Sequence, residues 1–200
     1  MNIQPLPLKE LPDLYDTHLR RDFPADELKP CDWLVRLAER GTYECHTFYD
    51  RGELCAYACV LAPRDRGAVL LDYFAVLPHR RGGGIGGQCF DLLGDTYRNR
   101  GGMLLETELV DAARTSEERE TRLRRNTFYQ RHGARLTGVH SEAFGVRYSI
   151  LCLPGEGGGP ADEAVYARLA ALYRGLFAPE YLTTQVKIAR PGGELLPVSL

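Results

Sequence analysis

The sequence lacks long apolar runs and a leader pattern. No stretch of its 200 residues approaches the roughly 18 consecutive apolar residues that a membrane-spanning helix needs. A secretory signal begins with basic residues followed by an apolar stretch. Residues 1–16 do not show this pattern. We therefore expect a cytoplasmic protein without a membrane partner.

An excess of charge of one sign is also missing. The chain carries 25 Lys and Arg residues against 27 Asp and Glu residues, a formal net charge of −2. Nucleic-acid-binding domains usually present a surplus of basic residues on one face. The balance therefore predicts that nucleic acid is not a partner.

The six cysteines lack the spacing of a metal site. None of them forms a C-x-x-C pair, and Cys55 and Cys59 share one face of a predicted strand. We predict reduced, mostly buried thiols and no metal ion. No combination of cysteine and histidine in the sequence suggests a covalent cysteine nucleophile.

The sequence does contain a regular succession of helix and strand patterns. Helical periodicity fills the first 40 residues, with Pro30 interrupting the run over 26–40. The predicted strands after it are 42–49, 54–61, 68–77, 103–109, 135–140 and 144–153, and the predicted helices are 85–98, 115–131 and 161–177. This order predicts an α+β fold, a mixed central β-sheet flanked by helices in α/β/α layers.

A Pro-Gly-rich segment, PGEGGGP over 154–160, predicts a flexible linker. Residues 1–153 are therefore predicted to form the main domain. Residues 154–200 are predicted to supply the linker, an amphipathic helix and a tail that pack on the same domain. Because that helix could also pack on a second copy of the chain, a monomer and a homodimer both stay open.

A glycine-rich loop separates the predicted strand 68–77 from the predicted helix 85–98. Five of the six residues over 82–87 are glycine, and Arg80 and Arg81 precede them. Glycine lets backbone N–H groups approach a ligand without a Cβ in the way, and a helix N-terminus adds donors and partial positive charge. We therefore predict an anion site suited to a pyrophosphate.

The same loop matches a dinucleotide-binding pattern. Gly82, Gly84 and Gly87 form a literal G-x-G-x-x-G, and Glu106 follows Gly87 by 19 residues, near the spacing of a ribose-binding acid. That fold places its first glycine directly after the strand, whereas residues 78–81 intervene here. It also repeats strand–helix–strand units, which this chain does not. NAD-type dinucleotide binding is therefore the weaker alternative.

Two motifs resemble those of the GCN5-related N-acetyltransferase (GNAT) family. Residues 70–93, LLDYFAVLPHRRGGGIGGQCFDLL, resemble its motif A, and 81–86 match the glycine segment of that motif. Residues 122–135 resemble its closing helix, with matches at Phe128, Tyr129, Gly133 and Ala134. The resemblance covers about residues 42–153. It implies a GNAT-like fold and transfer from acetyl-coenzyme A to the primary amine of a small-molecule or peptide acceptor, by direct attack in a ternary complex.

The resemblance also implies which residues bind the coenzyme. The backbone of Phe74, Ala75 and Val76 would pair with the pantetheine arm, and the Val76 N–H would donate to the thioester oxygen. The pyrophosphate would lie on the N–H groups of Arg81, Gly82, Gly83, Gly84, Ile85, Gly86 and Gly87.

Tyr129 is implied as the general acid that protonates the departing thiolate. Two carboxylates could receive the amine proton, Asp72 before the glycine loop and Glu106 on the next strand. The choice stays open, with Asp72 ranked first. Asp72 stands in an apolar strand, where an acid is costly to bury without a partner or a purpose. A coenzyme A-binding module that has lost its chemistry is the alternative from another class. Tyr129 beside an intact glycine loop favours the enzyme.

Overall fold

The computed structural model describes residues 1–25, 27–65 and 67–198. Asp26, in the predicted helical run, and residues 199–200, in the predicted tail, lie outside the described residues. Within the described stretches, no helix combines the length and apolar character needed to cross a membrane, and no group of three metal-binding side chains occurs. The six cysteines are free thiols, and all except Cys31 are buried.

The described residues form two compact units. The first consists of Met1–Arg64 and Leu71–Leu93, and the second of Asp65–Leu70 and Gly94–Leu200. Residues on both sides of position 153 thus belong to the second unit, and the predicted division of the chain there stays a prediction. Each unit combines antiparallel strand pairs with helices.

The described strands of the first unit are β1 Asn2–Pro5, β2 Tyr43–Asp50, β3 Glu53–Leu61 and β4 Val69–Val76, whose first two residues are counted with the second unit. They lie in the order β1-β2-β3-β4. β2 and β3 form the predicted hairpin, and its turn residues Arg51 and Gly52 have φ of 53° and 86°. Two positive φ angles match the right-handed twist of paired strands. The sequence does not predict β1, because its residues are mostly exposed and do not alternate.

The helices that begin in the first unit are α1 Leu11–Leu14, α2 Arg20–Asp22, α3 Cys31–Glu39 and α4 Ile85–Thr96, with a π-helical stretch over Tyr15–Leu19 between the first two. The predicted run over 26–40 is helical only from Cys31. Pro30 has a ψ of 139°, an extended conformation, and caps α3. A proline ring excludes the continuous helix that the apolar period alone would allow.

Further strands of the second unit are β5 Met103–Glu108, β6 Arg135–Ala143, β7 Val146–Leu153, β8 Val186–Ala189 and β9 Leu196–Pro197. They lie in the order β5-β7-β6-β8-β9, and each neighbouring pair is antiparallel. β6 and β7 are the predicted last strand pair. The tail, which shows no clear pattern in the sequence, adds β8 beside β6 and β9 beside β8.

The second unit also contains the helices α5 Ser116–Arg131, α6 Asp162–Leu176 and α7 Pro179–Thr184. α5 begins at a capping residue, since Thr115 Oγ1 accepts a hydrogen bond of 3.1 Å from the Glu118 N–H. α6 buries an apolar stripe that includes Leu169 and Tyr173. These helices carry two tyrosines that matter for the site, Tyr129 on α5 and Tyr173 on α6.

Candidate active site

The glycine loop leads from the end of β4 into α4. Gly82 and Gly84 have φ of +90° and +74°, a conformation that residues with a Cβ rarely adopt. Apart from the adjoining residues of the chain, no heavy atom of the described residues lies within 4 Å of where a Cβ would stand at Gly82, Gly83 or Gly84. The loop therefore needs glycine at two positions for its conformation, and its surface is open to a ligand.

The N-terminus of α4 supplies hydrogen-bond donors beside this loop. The Gln88 N–H donates to the Gly84 carbonyl, so the N–H groups of Ile85, Gly86 and Gly87 precede the first N–H that donates along the helix. Such N–H groups and the helix dipole together attract an anion. The loop and the helix end thus offer the backbone donors that a pyrophosphate needs.

The two arginines before the loop differ in what holds them. The Arg80 guanidinium lies 2.6 and 3.1 Å from two carboxylates of the β2–β3 hairpin, and its side chain is 20% exposed. Arg81 Nε donates to the Val76 carbonyl at 3.0 Å, with Asp22 3.8 Å away, and its side chain is 59% exposed. Two close carboxylates hold Arg80 more strongly than a carbonyl holds Arg81. Arg81 is therefore the arginine with more freedom to contact a phosphate.

Asp72 lies on β4 with both carboxylate oxygens in short contacts. Lys29 Nζ lies 2.6 Å from Oδ1, and the Tyr43 hydroxyl donates to Oδ2 at 2.6 Å. The Asp72 side chain is only 5% exposed. Burial and then the negative charge of Asp72 raise the pKa of Tyr43 well above its ordinary value, so the phenol stays a donor. The ammonium and the phenol compensate a carboxylate that is otherwise costly to bury.

The last residues of β4, Phe74, Ala75 and Val76, are half-buried. The Phe74 ring packs edge-on against Phe48 with centroids 6.3 Å apart. The Phe74 ring also packs against Phe90 of α4, with centroids 6.1 Å apart. These aromatic contacts fix the end of the strand next to the glycine loop.

Glu106 lies half-buried on β5 in the second unit. The Ser141 hydroxyl on β6 lies 3.1 Å from Oε1, and the Tyr173 hydroxyl on α6 donates a short hydrogen bond to the same oxygen. Both hydroxyl-bearing residues are fully buried. Hydrogen bonds to a carboxylate stabilise its charged form. Both contacts are made to the same carboxylate oxygen, Oε1.

Tyr129 lies near the C-terminus of α5, against the ring of Phe128 at 5.2 Å. Its carbonyl accepts hydrogen bonds from the N–H groups of His132 and Ala134 at 3.1 and 3.0 Å, where the helix ends. Burial raises the pKa of Tyr129 above its ordinary value, and the positive charge of Arg125 opposes the shift. The phenol is therefore protonated at neutral pH and can act as an acid.

Two ion pairs connect α5 to β5. Arg122 and Arg125 lie 2.9 and 3.1 Å from the two carboxylate oxygens of Glu108. Glu108 stands two residues after Glu106 on the same strand. The helix that carries Tyr129 and the strand that carries Glu106 are thus tied together within the second unit.

The predicted site residues fall into two groups. Asp72, residues 74–76 and the glycine loop belong to the first unit, and Glu106 and Tyr129 belong to the second. Sequence reasoning missed the partners of the two carboxylates, which are Lys29 and Tyr43 for Asp72, and Ser141 and Tyr173 for Glu106. These partners lie 29 to 67 positions away along the chain, so no local pattern points to them.

The sequence matches the profile of a known protein family. The profile of the acetyltransferase (GNAT) family matches residues 10–133, more than half of the chain. The match contains the glycine loop and Tyr129, on which the predicted resemblance rests. No curated protein matches the sequence.

Solved structures of acetyltransferases have a similar fold. A protein from Bacteroides thetaiotaomicron assigned to the GNAT family has a TM-score of 0.67 at 20% identity, covering 88% of this chain and 100% of that one. The ribosomal-protein-S18-alanine N-acetyltransferase of Escherichia coli has a TM-score of 0.52 at 20% identity, covering 78% and 97%. An aminoglycoside 6′-N-acetyltransferase complexed with coenzyme A has a TM-score of 0.53 at 18% identity, covering 76% and 96%. These likenesses confirm the predicted α+β fold, a mixed sheet flanked by helices.

Proposed function

Because the chain belongs to the acetyltransferase (GNAT) family, we propose that it transfers the acetyl group of acetyl-coenzyme A to a primary amine by direct attack in a ternary complex. Membership of the family makes it an N-acetyltransferase. The observation that carries the finer proposal is the open glycine loop, with left-handed backbone at Gly82 and Gly84, at the N-terminus of α4.

Backbone groups of the first unit hold the coenzyme in this proposal. The pyrophosphate accepts hydrogen bonds from N–H groups over 81–87, and Arg81 adds a charge-assisted contact. The strand end at 74–76 pairs with the pantetheine arm. The Val76 N–H donates to the thioester oxygen, on which negative charge develops as the amine attacks. Support comes from the open surroundings of the loop and the exposure of Arg81.

Glu106 and Tyr129 carry the proton transfers in this proposal. The amine nitrogen attacks the thioester carbon, and its proton passes to Glu106 directly or through water. The C–S bond then breaks, and the thiolate takes the phenolic proton of Tyr129. Glu106 is preferred to Asp72 because the Lys29 ammonium already neutralises Asp72. The hydroxyl contacts of Glu106 stabilise the charged form that a base requires.

The acceptor is a small molecule or a peptide that carries a primary amine. Among the similar structures, one protein is named for an alanine of ribosomal protein S18 and another for an aminoglycoside. Both kinds of amine therefore belong in a first substrate panel, together with a polyamine.

Two measurements test this proposal. Thermal unfolding with coenzyme A or NAD should show stabilisation by coenzyme A, since a ligand that binds the folded state raises the melting temperature. Thiol release from acetyl-coenzyme A should depend on one of the panel amines, with the acetylated product identified by mass spectrometry. Coenzyme A binding without any acetylated product would favour the non-catalytic module. Stabilisation by NAD and not by coenzyme A would favour the dinucleotide-binding alternative.

A further inference from the structure

The C-terminal helix α6 places a buried phenol against Glu106. α6 lies beyond residues 10–133, the part of the chain that the family profile matches. Tyr173 of this helix is 0% exposed, and its hydroxyl donates to Glu106 Oε1 across 67 positions of sequence. A helix outside the matched region thus reaches a carboxylate on β5.

Ser141 completes a group of three side chains with Glu106 and Tyr173. Its hydroxyl oxygen lies 3.1 Å from Glu106 Oε1 and 2.9 Å from the Tyr173 hydroxyl. Ser141 and Tyr173 are fully buried, whereas Glu106 is half-buried and is the member of the group that reaches the surface of the unit. Two hydroxyls on one oxygen restrict rotation of the carboxyl group.

The Tyr173 phenol keeps the proton that it donates to Glu106. Burial and then the negative charge of Glu106 raise the pKa of Tyr173 well above its ordinary value, so the phenol remains a donor. Tyr148 on β7 also raises the pKa of Tyr173. Glu108, the next acid along β5, is paired with two arginines of α5. Donation by the Tyr173 and Ser141 hydroxyls therefore stabilises the carboxylate of Glu106.

We propose that Tyr173, with Ser141, is a positioning residue that fixes the charge and the orientation of Glu106 for proton transfer from the acceptor amine. This inference rests on the proposed function, in which Glu106 receives that proton. It gives the Tyr173 side chain of α6, and no other residue of that helix, a role in the reaction. A phenol with a merely structural role would add stability without affecting the pH dependence of the reaction.

The test compares Tyr173→Phe with the wild type across about pH 5 to 9. The assay measures thiol release from acetyl-coenzyme A. Its acceptor is the amine that the wild type acetylates fastest among a peptide with an N-terminal alanine, an aminoglycoside and a polyamine. We expect the acid limb of kcat/KM to move to higher pH by about one unit, because loss of a donor raises the pKa of the carboxylate. The KM for acetyl-coenzyme A should stay within about twofold of the wild-type value.

The Glu106→Gln background shows whether Tyr173 acts through Glu106. There Tyr173→Phe should change kcat/KM by less than about twofold, because the group it positions is gone. Ser141→Ala should move the acid limb in the same direction by a smaller amount, and it serves as the test if Tyr173→Phe does not fold. Tyr166→Phe is the matched control on the same helix, where Arg190 Cζ lies 4.6 Å from the centroid of the Tyr166 ring. This substitution should leave the acid limb of kcat/KM unchanged.

The possible outcomes separate this inference from the proposed function. An acid limb that does not move, or an equal loss of rate in the wild-type and Glu106→Gln backgrounds, would overturn the positioning role while wild-type transfer stands. A wild type that acetylates none of the three kinds of amine overturns both.

Discussion

Asp72 and Glu106 are both acids of apolar strands, yet their surroundings differ. Asp72 is held by an ammonium and a phenol, and Glu106 accepts hydrogen bonds from two buried hydroxyls. The Lys29 ammonium compensates the charge of the buried Asp72 carboxylate, as in a structural ion pair. This difference supports the proposal that Asp72 contributes to stability and that Glu106 receives the proton.

Replacing Asp72 with asparagine should destabilise the protein more than it slows the reaction. The change removes the carboxylate that pairs with Lys29, a side chain only 17% exposed, and breaking one side of a buried ion pair costs about 3–5 kcal/mol. Urea denaturation measures the loss, and kcat of the folded protein should stay within about threefold of the wild-type value.

Asp16→Asn is the control for that substitution, because Asp16 pairs with Arg20 at the surface and is 69% exposed. It should lower the unfolding free energy by less than about 0.5 kcal/mol. Wild-type stability combined with lost turnover in Asp72→Asn would show instead that Asp72 is the base.

Replacing Tyr129 with phenylalanine should remove the proposed acid and keep the ring in place. We expect kcat to fall by about 100-fold or more, with little change in the KM for acetyl-coenzyme A. The raised pKa of Tyr129 keeps its proton through neutral pH, so wild-type activity that depends on this proton is lost only as pH rises above about 10. Steady-state kinetics against pH checks both points. An unchanged kcat in Tyr129→Phe would rule out this role.

The glycine loop and α4 act as one element, because the loop conformation determines where the helix N–H groups point. Gly84→Ala places a Cβ at a φ of +74°, which costs about 1–2 kcal/mol for a left-handed residue. Relief of that strain would redirect the N–H groups. We therefore expect lower stability and about tenfold weaker coenzyme A binding by calorimetry.

Gly83→Ala is the matched control for that strain. Gly83 lacks a positive φ, and no heavy atom of the described residues lies within 4 Å of its added Cβ. Its unfolding free energy should equal that of the wild type. Equal stability and equal binding in Gly84→Ala and the wild type would contradict the need for a left-handed loop.

Elements with a strong local signal are the ones that the sequence predicts. The two-residue turn at Arg51 and Gly52 and the cap at Thr115 are encoded by residues within four positions of each other. β1, β8 and β9 are four residues or shorter. Such short strands form because a neighbouring strand is present, and their own residues show no period that reveals them.

For the molecule as a whole, acid stability depends on carboxylates held by cations and backbone donors. Three of them in the second unit have a pKa below the ordinary value: Asp65 through Arg168, Glu142 through Lys187 and Arg147, and Asp162 through the Gly138 N–H and Arg135. A carboxylate whose pKa is lower in the folded state adds stability above its unfolded pKa. That stability is lost as pH falls through the folded pKa.

The unfolding free energy should therefore be nearly constant around neutral pH and decrease below about pH 4. Asp162→Asn should lower stability at neutral pH and make the decrease at acid pH less steep. Urea denaturation at a series of pH values measures both effects. Asp111→Asn, at a carboxylate that is 83% exposed, is the control and should change neither. A decrease as steep in Asp162→Asn as in the wild type would contradict this account.

Short-range chemistry accounts for what can be known from the sequence of this protein. Glycine content over 82–87, the hairpin turn and the F-Y pair at Tyr129 are local features. The first and the last of them carry the resemblance to the acetyltransferase family, which is visible before any coordinates are considered. The roles of Asp72 and Glu106 depend on folding. Their partners come from elements 29 to 67 positions away, and only the packing of those elements brings the ammonium to one carboxylate and the hydroxyls to the other.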